Sequence, residues 1–96
     1  MPLDATFQAL ADPARLVMVE RLARGPASVS ELARPLDMSL SAVMQHLAVL
    51  EASGLVRSRK VGRVRTCEIN SKALDRAERW FGARRAEWER KLDALG

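Results

Sequence analysis

The chain has no tyrosine, two tryptophans, two phenylalanines, one cysteine and one histidine among 96 residues. Each shortage closes a route. With aromatics at 4% and hydrophobic residues at 48%, the core must be built from aliphatic side chains. A single thiol, Cys67, excludes an internal disulfide and suits a reducing compartment. One histidine and one cysteine fall short of the three or four N/S ligands zinc takes, or the two or three thiolates of a soft metal, so no metal site is expected. There is no glycine-rich phosphate loop and no nucleophile–base pair, so neither a cofactor nor an enzyme is expected. No apolar run reaches the length of a membrane span, and Met1 to Asp12 lack a basic start and an apolar signal core. The expectation is a cytoplasmic protein with no membrane partner, folded as one small domain over residues 1–96.

What the chain does have is positive charge in one place. Its net charge is +4. Of its 16 basic residues, Arg57, Arg59, Lys60, Arg63 and Arg65 fall between Val56 and Arg65, where there is no acid. Elsewhere 11 basic residues stand against 12 acidic ones, so the whole excess comes from this segment. A charge set for solubility is spread out, whereas a footprint for a polyanion is concentrated. A solvated strand pair with basic side chains guarding its edge is the plainer alternative.

The order of elements follows from caps and periodicity. Leu3, Phe7 and Leu10 recur at i, i+4, i+7 and mark a first short helix. Asp12-Pro13 supplies an N-cap and a first-turn proline for a second helix to about Arg24, burying Leu16, Val17 or Val19, and Leu22. Ser28-Val-Ser-Glu31 is a capping box and starts a third helix ending near Leu36. After a tight turn at Asp37-Met38, Ser39 caps a fourth helix that closes at Ser53-Gly54. Val56–Val61 and Val64–Ile69 form a hairpin about Gly62, and Asn70 or Ser71 caps a last helix to about Leu95. This is a mainly α fold with one β-hairpin. It reads as a winged helix-turn-helix with its helix-turn-helix at about 28–54, wing at about 56–69 and terminal helix at about 71–95.

The fourth helix has an unusual outer face. Val43, Leu47 and Leu50 form its inner stripe, yet no charge appears before Glu51, and Ser41 and Gln45 lie opposite the stripe. Small residues there permit close approach to a major groove, and Gln and Ser can bond to base edges. The Ser39 cap points backbone N–H groups at a phosphate. The candidate DNA-binding residues are thus Ser39, Ser41, Ala42, Met44, Gln45 and His46 on the helix and Arg57, Arg59, Lys60, Arg63 and Arg65 on the wing. His46 stands at the core margin, where a partly buried, hydrogen-bonded ring competes with a phosphate contact. Packing of this face on another protein helix is the alternative, and the basic hairpin directly behind it argues against that.

In the last helix, Leu74, Ala77, Phe81, Trp88, Leu92 and Leu95 fall in one stripe, matching Leu3, Phe7 and Leu10 in kind. Both stripes are read as a two-fold interface of a homodimer, with Arg84 within reach of the Trp80 and Trp88 rings. Cys67 shares a strand face with Ile69 and is expected to point inward as a buried structural thiol; a redox switch, favoured only if nearby Arg63 and Arg65 lower its pKa, is the lesser alternative.

The segment Phe7 to Val64, and "SAVMQHLAVLEASGLV" within it, resembles the ArsR/SmtB family of small dimeric bacterial transcriptional regulators. The resemblance implies a winged helix fold, dimerisation through the terminal helices and repression of an operator relieved by a signal. The family's metal chemistry does not transfer. Where arsenic sensors carry a Cys-x-Cys pair this chain has "ELARPL", and its only histidine is on the reading helix. The tail "RWFGARRAEWERKLDAL" instead resembles a metal-free branch with a tryptophan-rich final helix. The expected function is a dimeric, sequence-specific repressor binding an inverted repeat in double-stranded DNA, its effector open. The second reading is a winged-helix protein-interaction module.

Overall fold

A computed structural model describes residues 2–96. Five helices and three strands follow in the order α1 (Leu3–Leu10), α2 (Pro13–Leu22), β1 (Ala27–Ser28), α3 (Val29–Ala33), α4 (Leu40–Ala52), β2 (Val56–Val61), β3 (Val64–Ile69) and α5 (Ser71–Leu95). The caps fix most of these boundaries. Asp12 Oδ1 accepts from the amides of Ala14 and Arg15 at 2.9 and 3.2 Å, opening α2 just before Pro13. Ser28 and Glu31 form the reciprocal capping box, each accepting at 3.1 Å from the other's amide. Ser39 Oγ accepts from the Ala42 amide at 3.1 Å and opens α4. Asn70, and not Ser71, caps α5, accepting from the Lys72 amide while its side-chain NH₂ donates to the Gly54 carbonyl. Gly54 ends α4 in the left-handed region at φ 82°, the conformation glycine adopts without a Cβ penalty.

Twelve buried residues make the core, drawn from every element: Ala9, Met18, Leu22, Ala27, Leu32, Val43, Leu47, Leu50, Leu55, Val56, Cys67 and Ala73. None is aromatic. The inner stripe of α4 is fully buried as its spacing predicts, and Leu55 behind Gly54 is at 0% exposure.

Three details differ from the sequence reading. The core side of α2 is Met18 and Leu22, while Leu16 and Val17 are exposed and Val19 only flanks the core. Four consecutive apolar residues, Leu16 to Val19, point in all directions around a helix, so periodicity could not choose among them. The third helix stops at Ala33, short of Leu36: Arg34 still has helical angles and donates to the Ser30 carbonyl, but Pro35 has no N–H with which to extend the hydrogen-bond ladder. The hairpin is also part of a three-stranded antiparallel sheet, ordered β1-β3-β2, in which Ala27 pairs with Cys67 and Ser28 with Thr66.

Helix α5 leaves the body of the molecule. Ala73 is its only buried residue, and the molecule measures 59 × 25 × 22 Å. No helix among the described residues is long and apolar enough to cross a membrane.

Candidate nucleic-acid interface

The fourth helix presents Ser39, Ser41, Met44, Gln45 and Ala48 to solvent, with Ala42 half-buried beside them. With the inner stripe anchored in the core, this face is held outward on a rigid element. It bears no charged group, so a polyanion meets no repulsion there.

The wing stands next to it, and strand register sorts its cations. Val56 pairs with Ile69, Ser58 with Cys67 and Lys60 with Arg65, so these six share one face of the hairpin. Since Cys67 and Val56 are buried, that is the inward face, and Lys60 and Arg65 continue it beyond the core. Arg57 and Arg59 lie on the opposite face, paired with Glu68 and Thr66. Arg63 sits in the turn itself, next to Gly62 at φ 63°, where a residue with a Cβ would be strained. The five cations therefore surround the wing rather than forming one stripe. All five are exposed.

Their surroundings differ. Arg57 faces Glu68 across the strands at 3.5 Å, Arg57 well exposed and Glu68 partly so, a pair of little net worth in water. Arg65 donates to Ser58 Oγ at 2.9 Å, and Ser58 in turn donates to Glu51 on α4. That chain ties the wing to the C-terminal end of α4 and orients the Arg65 guanidinium. Arg59, Lys60 and Arg63 form no ion pair among the described residues, leaving three cations open to an incoming anion. Between the wing and the first turns of α4 runs a groove of about 360 Å³, with Ser28, Ser30, Met44, Arg63 and Arg65 on its walls and no carboxylate in its lining.

His46 is turned to the other flank. Its Nδ1 lies 3.1 Å from the Arg15 guanidinium and 3.9 Å from Asp12 Oδ1. A guanidinium has no acceptor, so a hydrogen bond between the two uses the lone pair of Nδ1. Arg15 also donates to the Ala9 carbonyl at 2.6 Å. The cluster therefore joins α1, the α2 cap and α4, and the structure sets His46 apart from Ser41 and Gln45. The amides at the α2 cap, chiefly that of Arg15, hold the Asp12 carboxyl below its usual pKa. The Ser28 amide does the same for Glu31.

Cys67 is fully buried in the core, as its place on the strand predicts. Burial, reinforced by Glu51, raises its thiol pKa against the opposing effect of Arg65. This is the buried structural thiol expected from the sequence; Arg65 does act to lower the pKa, and the loss of water outweighs it.

The terminal helices expose the other predicted set. Leu74, Phe81, Trp88, Leu92 and Leu95 are all open to solvent, Trp88 at 62%. Phe7 lies half-buried against Trp80 and Phe81, ring centroids 5.6 and 5.4 Å apart, and Leu3 is half-buried on the same helix. Leu10 instead packs against the core of its own domain. Arg84 lies 5.1 Å over Trp80 and pairs with Glu87 at 2.9 Å. No group of three or more His, Cys, Asp or Glu side chains comes together as a metal site among the described residues.

Sequence reasoning missed the positioning residues Arg15, Glu51 and Ser58. Glu51 was visible as the first charge on the helix, but its partner depends on how the wing folds back. A family model for a helix-turn-helix domain matches residues 10–59. Over 91% of its length the chain resembles the crystal structure of an ArsR family transcriptional regulator, RHA00566, with a TM-score of 0.85 and 49% identity, covering 96% of that chain.

The chain belongs to the ArsR family.

Its relatives are regulators, not enzymes. The HTH-type transcriptional regulator Rv2034 of Mycobacterium tuberculosis is 48% identical over 71 residues, 74% of this chain and 66% of that protein. Two further curated relatives are matched over 49% and 43% of their length, so this ArsR-family chain spans about half to two thirds of these three curated relatives. The solution structure of the homodimeric winged helix-turn-helix DNA-binding domain of Mb0332 from Mycobacterium bovis gives a TM-score of 0.68 at 27% identity, over 94% of this chain and 81% of that one.

Proposed function

We propose that this ArsR-family chain is a dimeric, sequence-specific DNA-binding repressor. Helix α4 enters the major groove, and the wing holds the flanking backbone. The observation that carries this reading is the uncharged, solvent-facing side of α4, with Ser41 and Gln45 exposed on it, beside a wing whose Arg59, Lys60 and Arg63 have no ion-pair partner among the described residues. Gln45 bonds bidentately to adenine, Ser41 to a neighbouring base edge, and the amides at the Ser39 cap bond to a phosphate. The wing cations displace counterions from phosphates.

Two copies meet through α1 and α5. The exposed apolar row on α5 and the Phe7–Trp80–Phe81 cluster support this, as does the homodimeric Mb0332 domain. A two-fold protein reads a two-fold site, so the operator is an inverted repeat. Repression follows from the family resemblance, and the site of action is the cytoplasm, where the DNA lies.

Selection of bound sequences from random duplexes by the purified protein tests the reading. Enrichment of an inverted repeat, bound with a steep salt dependence, is the expected result. Enrichment of nothing, together with salt-insensitive binding to a protein, would sink it.

A further inference from the structure

We propose that Leu40 and Met44 recognise the C5-methyl groups of thymines, so that each half-site places a thymine beside the base met by Gln45. This rests on the reading role of α4 given above and adds a base identity to it.

The two side chains are one turn apart at the start of α4, and they are 59% and 41% exposed. They do not belong to the buried stripe of Val43, Leu47 and Leu50. At 100° per residue they lie on the flank of the helix that faces the wing, Met44 adjoining Ser41 and Leu40 standing between Met44 and the buried Leu47. Both line the groove between α4 and the wing, where Arg63 and Arg65 supply charge and Ser28 and Ser30 supply hydroxyls. A large aliphatic group left in water forfeits the gain of burial, and this pair is poised to recover it on contact with a ligand. The ligand has to bring negative charge to two guanidinium groups and apolar surface to Leu40 and Met44.

Duplex DNA meets both conditions. Its backbone supplies the charge, and in the major groove the one apolar group it presents is the thymine methyl. Met44 flanks the Ser41–Gln45 face on the wing side, and an adenine held by the Gln45 amide is paired with a thymine whose methyl projects into the same groove. An A·T pair is thus read on both strands, the adenine by hydrogen bonds and the thymine by apolar contact.

The test uses a duplex taken from the selection above, with its thymines replaced one at a time by deoxyuridine. That change removes the methyl and leaves the hydrogen-bonding edge. The parent protein should lose about fourfold in affinity at one or two positions of each half-site, the factor for burying one methyl group, and nothing at the others. Leu40→Ala and Met44→Ala, both at exposed helical sites, should keep the parental thermal unfolding midpoint. Each should bind the thymine duplex more weakly by a similar factor and become indifferent to the methyl it contacts. A parent protein that binds every deoxyuridine duplex as tightly as the thymine duplex, while still preferring it to random DNA, overturns the methyl contact and leaves the reading role of α4 standing. Variants that keep the full thymine–deoxyuridine difference overturn the assignment to Leu40 and Met44. Binding with no preference among duplexes overturns both this inference and the proposed function.

Discussion

Helices α4 and α5 each turn an uncommitted face to solvent, and the two faces are built differently. The 13 residues of α4 bury three large aliphatic side chains and present Ser41, Gln45 and Ala48, flanked by Leu40, Met44 and Val49, with no charge before Glu51. The 25 residues of α5 bury only Ala73 and present Phe81, Trp88, Leu92 and Leu95 among charges. A face that must enter a groove of DNA gains from being narrow and able to form hydrogen bonds, with cations supplied from beside it. A face that must meet another protein gains from large apolar area rimmed by charge. The contrast also separates what each helix stabilises: α4 holds the fold of one domain, whereas α5 contributes to the domain through Ala73 and the packing of Trp80 and Phe81 on Phe7, and leaves its C-terminal half free.

The sharpest break between them should be in stability. Leu47→Ala, deep under α4, should lower the unfolding free energy by about 2–5 kcal/mol. Leu92→Ala on α5 should change it by less than about 0.5 kcal/mol in dilute, monomeric protein. Denaturant titrations of both variants check this, and a large effect at Leu92 in monomer would show α5 folded onto its own domain.

Next in size is the effect of α5 on binding. Trp88→Ala should weaken self-association and operator affinity together, the latter by about 100-fold or more, since two linked half-sites gain avidity of that order. Sedimentation and operator titration of the same samples decide it. A fully monomeric variant with unchanged operator binding breaks the division of labour between the two helices.

Smaller effects distinguish reading from holding. Gln45→Ala should cost about 1–3 kcal/mol at the best operator and much less on random DNA. Arg63→Ala should weaken both kinds of DNA evenly and reduce the salt slope by about one for each phosphate that the wing no longer neutralises. An equal drop on both duplexes for Gln45→Ala would mean that α4 docks without reading.

The smallest effect concerns the caps. Asp12 and Glu31 have lowered pKa values because backbone amides bind their ionised forms. Their contribution is therefore present above the unfolded-state carboxylate pKa and is lost as pH falls through the lower folded-state values. The thermal midpoint should drop modestly below about pH 4, and Asp12→Asn, which retains a capping oxygen, should drop less. A midpoint that is flat through this range in the parent contradicts the capping account.

The sequence alone determined the elements, since these depend on neighbours within a few residues. Asp12-Pro13, the Ser28–Glu31 box, Ser39 and Gly54 each satisfy or release backbone groups locally, so the starts of α2 and α3 and both ends of α4 could be read from the chain, while α2 ends at Leu22, two residues before the expected Arg24. The inner stripe of α4 and the inward aim of Cys67 follow from periods of 3.6 and 2 and were legible for the same reason. Tertiary structure decided whatever depends on residues far apart in the chain. It chose Met18 over its apolar neighbours as the buried side of α2, and it paired Ala27 with Cys67, 40 positions away, in a strand too short to announce itself. It drew His46 to Arg15 and linked Arg65 through Ser58 to Glu51. It also raised the thiol pKa of Cys67, because desolvation depends on every element packed around a side chain and no local spacing records it.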